Sequence, residues 1–297
     1  MAKFVTAEEA VAFVKDNDTV VFGGFCTYGT TEELTEALAD RYERTGHPKN
    51  IDIISGITPG DKSESNEPRQ GYNIGLNLLK AEGLIGGATV GLADARAIGY
   101  KINENKIAGY LMPMGILVNL FRATAGGAPG ILTKVGLGTF CDPRQDGCCG
   151  NEMARQRGSV VELMEIDGEE YLFYKTYKPD VCFIRGTYAD EDGNISMDHE
   201  VIIGAEFDMA AATHNKGGIV IVQVDKMVQR GSIHPKNVRI HGLLVDYVVV
   251  AQKPENTWQS FLSPVYRPEL ASEIKTVIGK RAPMKLDIRK VIARRST

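Results

Sequence analysis

Glycine is concentrated where chemistry needs bare backbone. The stretch GGFCTYGTTEEL at 23–34 runs from an apolar segment into a helical pattern. The stretch LMPMGILVNLFRATAGGAPGILTKVGLGTFCDPR at 111–144 carries PxGxL, an arginine-bearing helix, AGGAPG and GxGTFxDPR. Glycines this dense act as turns that bring backbone amides close to a ligand, and amides at a helix start hold an oxyanion or a carboxylate. Three candidate groups follow: Gly23, Gly24 and Phe25 at the end of the first strand; Met114 and Gly115 after the strand stopped by Pro113; and Gly138 with Thr139. Each has a plainer reading beside it. Gly23–Phe25 would be a tight strand-to-helix turn, Met114 would fill core space as methionine often does, and Asp142 with Arg144 would brace the third loop. A dinucleotide site fits less well. The spacing is GGxxxxG rather than GxGxxG, and NIDIISG at 50–56 does not end in an acid to bind a ribose.

Other chemistries lack their residues. Cys148 and Cys149 are adjacent, which is not metal-ligand spacing, and no histidine is near them, so they read as loop residues and no metal is expected. Asp190-Glu191-Asp192-Gly193 resembles a calcium loop, but its twelfth position is Val201 instead of a bidentate glutamate, and a solvated turn is expected. His199, His214, His234 and His241 belong to no HExxH pattern, and the chain has no GxSxG for a triad hydrolase. Arg122 reads as a surface or inter-subunit salt bridge.

The elements that must position these residues alternate. DTVVFGGF at 18–25 reads as a buried strand, Thr30 and Glu33 have capping-box spacing, and the amphipathic helix that follows is closed by Gly46. Strands are expected at 50–56, near 87–92 and at 107–113, with helices at 71–83, before Asn105 and at 115–125. VVELMEIDGEEYLFYK at 160–175 is two apolar runs across Asp167-Gly168, a hairpin. VCFIRG, GIVIVQV and DYVVVA are continuous apolar runs of the kind buried on both faces. The order predicts an α/β fold: an open, mostly parallel sheet with helices on both faces and an antiparallel hairpin insertion. The polar loop 57–70 is of the kind that rims a site. Residues 1–251 form the expected domain, and 252–297 an arm. Trp258, Phe261, Leu262, Val265 and Tyr266 lack a core pattern and suit docking on a partner.

Composition sets the limits. The 297 residues are 43% hydrophobic and 24% charged with 32 glycines, which permits a sizeable core in an ordinary globular chain. A formal net charge of −4 argues against a nucleic-acid partner. The basic cluster KLDIRKVIARR at 285–295 reads as a solvated or interface segment. No apolar run is long enough to cross a membrane, and MAKFVTAEEA carries no signal-peptide core. Five cysteines without a CxxC pair fit a reducing compartment, so a cytoplasmic location is expected.

These motifs, with RGTYADEDGNIS at 185–196, HNKGGIVIVQVDKMV at 214–228 and GLLVDYVVVA at 242–251, resemble the N-terminal (alpha) half of family I coenzyme A transferases, in particular the acetate and propionate CoA-transferases. The resemblance runs from Val5 to about Arg295. It implies transfer of CoA between a short-chain acyl-CoA and a carboxylic acid through a glutamyl-CoA intermediate, with CoA as substrate and no permanently bound cofactor. It also implies that the catalytic glutamate sits in the beta half, in a segment such as ExGxxGG. This chain lacks that pattern; AEGLIGG at 81–87 comes nearest, and the family has no catalytic role for a glutamate at Glu82. The expected catalytic set in this chain is therefore empty, and the expected partner is a beta subunit or C-terminal half. The chain stops at Thr297, so it is expected to be either the alpha subunit of a split enzyme or a fragment of a fused one. Where the family usually carries glutamine this chain has Met114, which implies a more apolar pocket or a different acyl group. The alternative is a sugar-phosphate or ligand-binding module on a ribose-phosphate isomerase-like fold, its glycine loops holding a phosphate.

Overall fold

The computed structural model describes residues 2–296 except 66, 68, 69, 262–264, 278, 280, 281 and 284. Leu262 of the expected docking arm lies outside the described residues. The first strands are β1 (Lys3–Phe4), β2 (Thr19–Phe22), β3 (Ile51–Ile57), β4 (Ile85–Leu92), β5 (Ala108–Leu111), β6 (Gly130–Thr133), β7 (Val161–Ile166) and β8 (Glu169–Lys175). They are followed by β9 (Val181–Arg185), β10 (Tyr188–Asp190), β11 (Ile195–Ser196), β12 (Ile219–Val224), β13 (Lys226–Val228), β14 (Val238–Ile240) and β15 (Tyr247–Val250). The α-helices are α1 (Ala7–Val11), α2 (Glu32–Thr45), α3 (Arg96–Asn103), α4 (Met114–Ala125), α5 (Glu152–Arg157), α6 (Glu206–Asn215) and α7 (Ile288–Arg295).

Eight strands make one sheet in the order β1-β15-β12-β9-β2-β3-β4-β5, and every pairing in it is parallel. Successive side chains of a strand point to opposite faces. Val20, Phe22, Ile53, Val181 and Phe183 meet Leu34 and Leu38 of α2 and Ile98 of α3 on one face. Val21, Ile54, Cys182, Ile184 and Val222 meet Leu117 and Phe121 of α4 and Met209 of α6 on the other. Burial on both faces is why these strands read as unbroken apolar runs. The chain lays β2 to β5 outward in one direction, then places β9, β12 and β15 on the far side of β2. The strand order therefore reverses between β2 and β9, and open α/β sheets seat ligands beyond the carboxyl ends of strands at such a point.

The hairpin forms as its sequence predicts. Asp167 (φ 53°) and Gly168 (φ 78°) both take positive φ, as a two-residue primed turn requires. β6 joins it as a third, antiparallel strand, so the insertion is a three-stranded sheet in the order β6-β8-β7. Glycine and proline flank β6, which hides it in the sequence. A second small sheet, β13-β10-β11-β14, lies beyond β9 and β12.

Four local expectations are corrected. The helix expected over 71–83 is two short 3-10 turns, Gly71–Asn73 and Gly75–Leu79. Gly75 sits at φ 57°, where an added Cβ would lie 2.5 Å from the Pro59 carbonyl oxygen, so the backbone leaves the helix to pass close to the loop after β3. The capping box at α2 does not form: Thr31 is the N-cap and makes no side-chain cap. Instead the Glu33 amide donates to Gln223 Oε1 at 2.9 Å and the Glu33 carboxylate accepts from Asn256 at 2.6 Å. Asp190 is buried and accepts from the amides of Asp192 (3.0 Å) and Asn194 (2.9 Å), so its turn is internally held instead of solvated. The arm does not leave the domain at 252. Gln223 donates to the Asn256 carbonyl at 2.9 Å, Gln259 donates to the His199 carbonyl at 2.8 Å, and Asn256, Gln259 and Ser260 are buried. Residues 254–261 thus close over the carboxyl ends of β9 and β12. Beyond them Val265, Val277, Leu286 and Ile288 are exposed. No described helix is long and apolar enough to cross a membrane.

Candidate active site

A cavity of about 330 Å³ opens beyond the carboxyl ends of β2 and β3, beside the strand reversal. Gly24 and Phe25 from the loop after β2, Met114 and Val118 from α4, and the segment 202–206 leading into α6 wall it. Among the described residues its lining holds no lysine, arginine or histidine. A shallower groove of about 550 Å³ lies between α1, α2 and β15, but carboxylates such as Glu8, Glu9, Glu36 and Asp40 line it and none of the sequence candidates does. Acidic walls disfavour an acyl carboxylate, so the smaller cavity is the better site.

The first candidate group shows which amides remain for a ligand. The Gly23 amide donates to the Phe183 carbonyl at 2.8 Å, extending the β2–β9 ladder. Phe25 and Tyr28 exchange backbone hydrogen bonds at 2.9 Å. The Gly24 amide faces the Glu206 carboxyl across the cavity wall. Gly24 takes φ +99°, and an added Cβ would lie 2.9 Å from the Gly29 carbonyl oxygen. Closure of the loop on itself thus already requires glycine here.

Glu206, which the sequence reading missed, is the acid of this site. It opens α6, is only 6% exposed, and borders the cavity with Gly24 and Gly204. Burial pushes its pKa up; its own amide and those of Gly204 and Gly24 pull it down, and nearby Glu200 raises it. Its Oε2 is buried without a hydrogen-bond partner. The available signal was an acid directly after Gly204-Ala205 at a helix start.

Met114 is 37% exposed at the first turn of α4 and lines the cavity, so it does not fill the core. The other candidates fall outside this cavity. Gly115 borders a neighbouring groove with Asn119 and Arg122, and its carbonyl accepts from Asn119 at 2.8 Å. Arg122 pairs within the chain with Asp208 at 2.9 Å. The Gly138 amide donates to Asp142 Oδ2 at 2.9 Å, and the Thr139 hydroxyl donates to the Gly136 carbonyl at 2.7 Å. Asp142 also takes Arg144 through Nε (3.0 Å), Nη2 (2.8 Å) and the backbone amide (3.0 Å). The Arg144 side chain first, then the Gly138 amide, holds the Asp142 carboxyl well below the usual range. Gly138 and Thr139 therefore spend their polar groups inside their own loop. Cys148 and Cys149 are buried free thiols in the turn that follows. Glu82 is exposed before the amino end of β4, at the sheet edge opposite the cavity, and accepts from Lys106 at 3.2 Å.

A second cluster escaped the sequence reading. Arg185, 2% exposed at the end of β9, donates to Glu200 at 3.1 Å and to the carbonyls of Trp258 (2.8 Å) and Thr257 (2.6 Å). Asp225 Oδ1 lies 3.9 Å from the same guanidinium. Burial pushes the Asp225 carboxyl up to about 7 against the pull of Arg185. A charged residue ending an apolar run was the only trace of this cluster in the sequence.

A doubly wound parallel sheet with an apolar crevice at its strand reversal is the arrangement in which open α/β domains seat small ligands. The chain belongs to the coenzyme A transferase family, whose profile matches residues 4–251. It is 40% identical over 297 residues to the caffeate CoA-transferase of Acetobacterium woodii, an alignment covering 100% of this chain and 54% of that protein. The acyl-CoA transferase YdiF of Escherichia coli O157:H7, solved as a thioester complex with CoA, superposes with a TM-score of 0.87 at 36% identity, covering 99% of this chain and 54% of that one. The chain thus spans about half the length of these relatives. It is 27% identical over 249 residues to the alpha subunit of the acetoacetyl-CoA:acetate/butyrate CoA transferase of Clostridium acetobutylicum, covering 84% of this chain and 97% of that subunit.

Proposed function

We propose that this chain is the acyl-holding half of a coenzyme A transferase that moves CoA between a short-chain acyl-CoA and a carboxylic acid. One observation carries the reading: a largely apolar cavity, with no cation among its described lining residues, sits at the strand reversal with the Gly24 amide in its wall. A phosphate ligand would call for cationic side chains, which this lining lacks, so the sugar-phosphate reading has no support from it.

The chemistry is covalent exchange on a glutamate supplied by the other half. Its carboxylate attacks the acyl thioester, giving an acyl-glutamyl anhydride and CoA thiolate. The thiolate attacks the glutamyl carbonyl and releases the first carboxylic acid, leaving a glutamyl-CoA thioester. The acceptor carboxylate then reverses both steps and departs as its own CoA thioester. The thioester complex described for the E. coli relative is consistent with such an intermediate. No metal and no resident cofactor enter; CoA is substrate. This chain contributes the acyl pocket, with the candidate Gly23–Phe25 loop and Met114 in or beside its wall. The glutamate-bearing half is either a continuation, as the lengths of the A. woodii and E. coli relatives imply, or a separate beta subunit, as for the Clostridium one. The same reading places the enzyme in the cytoplasm.

The test is assay of the chain alone and together with its glutamate-bearing half, using a panel of short acyl-CoAs and acids. CoA transfer should require both. Borohydride trapping of the thioester followed by mass spectrometry should mark a glutamate of the other half. Turnover by this chain alone, or a mark on Glu82, overturns the assignment.

A further inference from the structure

Among the described residues Glu206 is the one carboxylate in the cavity lining, and it is costly where it stands. An acid that is 6% exposed has lost most of its hydration; its own amide and those of Gly204 and Gly24 replace part of it, and Oε2 has no hydrogen-bond partner. The rest of the wall is largely apolar: Phe25, Ile57, Val118, Ile202 and Met209. The nearby Glu200 is already committed to Arg185 at 3.1 Å and adds like charge. Among the described residues no cation lines the cavity to compensate. A glutamate carboxyl turns about a broad terminal torsion, so a ligand in the cavity can meet it with little side-chain rearrangement.

We infer that Glu206 is a specificity-determining residue: it favours acyl groups that carry a hydrogen-bond donor such as a hydroxyl, and rejects acyl groups that carry a second carboxylate. The inference rests on the transferase reading for the name of the ligand, but its physical basis is the cavity alone. A donor on the acyl chain supplies the partner that the Glu206 carboxyl lacks. A second carboxylate would lose its own hydration in this apolar pocket and find a carboxyl beside it, with no cation in the described lining to compensate. A plain alkyl chain satisfies the apolar walls and leaves Glu206 as it is. Sites built around a buried polar group discriminate strongly on the presence of its partner, while a missing methylene is discriminated weakly.

Three four-carbon acids hold size nearly constant and change only this chemistry: butyrate, 3-hydroxybutyrate and succinate. Calorimetric binding of each to the complete assembly reads Glu206 without any reaction. Wild type should bind 3-hydroxybutyrate at least as well as butyrate, and succinate at least tenfold more weakly. Glu206→Gln keeps the shape and removes the charge, and should raise succinate affinity relative to butyrate about tenfold. Glu206→Asp keeps the charge and should keep the rejection, which separates this effect from damage to the fold. A succinate-to-butyrate ratio that is the same in wild type and Glu206→Gln, or lost equally in Glu206→Asp, overturns the inference. CoA transfer is measured on the same samples. Its absence alongside a shifted binding ratio would overturn the transferase reading and leave Glu206 standing as the selector of this pocket.

Discussion

Two buried acids, Asp142 in a glycine-rich loop and Glu206 at the start of α6, meet opposite fates. Asp142 is 1% exposed, yet Arg144 and the Gly138 amide hold its carboxyl well below the usual range. Glu206 is 6% exposed, and burial pushes its carboxyl the other way, with one oxygen unpartnered. The Gly138–Thr139 loop beside Asp142 and the Gly23–Phe25 loop facing Glu206 were both sequence candidates. The difference lies in where the donors go. Around Asp142 the donors are spent inside the loop, so that region builds structure. Around Glu206 backbone amides meet only part of the demand, and one oxygen beside the cavity keeps room for a ligand's donor. Glycine density alone therefore does not mark a site; unsatisfied polarity at a strand reversal does.

The sharpest way to break this contrast is Gly24→Ala. Its Cβ would press on the Gly29 and Tyr28 carbonyl oxygens at 2.9 and 3.1 Å and turn the Gly24 amide away from the cavity. Loss of one oriented donor costs roughly 10²–10³ in kcat. Because the clash is with backbone at φ +99°, the melting temperature should fall as well. Steady-state kinetics on protein shown to be folded by circular dichroism checks this. Full activity would remove the loop from the site.

Asp225 belongs with Glu206, since its Oδ1 is also buried without a hydrogen-bond partner. Its folded-state value of about 7 lies above the unfolded value of about 4. Between those values the folded chain holds a proton that the unfolded chain has released. Stability therefore falls as pH rises through this window and levels off above about 7. The slope from one such group approaches about 1.4 kcal/mol per pH unit. Asp225→Asn should flatten that part of the curve of unfolding free energy against pH. Parallel curves for wild type and variant would show that the burial is relieved by water.

Asp142 gives the opposite sign. Its value is lowered, so its contribution is complete above about pH 4 and is lost as pH falls through the acid range. Asp142→Ala leaves the amides of Gly138 and Arg144 without their acceptor, at a cost of about 2 kcal/mol. Urea unfolding at neutral pH should show the loss, while kcat/KM of the folded fraction stays within about threefold. A larger catalytic defect with unchanged stability would make the 136–144 loop part of the site after all.

The sheet was legible in the sequence because strands buried on both faces, such as VCFIRG and GIVIVQV, leave no polar interruption to misread. The hairpin was legible because Asp167-Gly168 accepts positive φ. What failed were features decided by partners distant in sequence. Glu33 has capping-box spacing, but Gln223 and Asn256 reach it first, across 190 and 223 residues. Gly71 and Gly75 interrupt an apolar run that propensity alone makes helical. Of the cavity's lining, Gly24, Phe25 and Met114 were legible as candidates. Glu206 was hidden because an acid at a helix start is ordinary, and only packing shows that this one is buried with an oxygen unpartnered.

The smallest expected effect tests the wall facing that acid. Met114 begins α4 after Pro113, and it lines the cavity while remaining 37% exposed. Glutamine has similar length, so Met114→Gln should leave the helix start and overall stability nearly unchanged. It would add an amide to an otherwise apolar stretch of wall, offering a donor and an acceptor to the acyl group. Polar acyl chains should gain against alkyl ones by up to about tenfold in relative kcat/KM, about 1.4 kcal/mol. If Glu206 is the dominant selector, this shift should persist in the Glu206→Gln background, because the two residues would act on the ligand from separate elements. A shift that vanishes there would mean that the new amide acts by pairing with Glu206 instead of with the ligand. An unchanged profile in both backgrounds would reduce Met114 to inert wall and place acyl selection on the α6 side of the cavity.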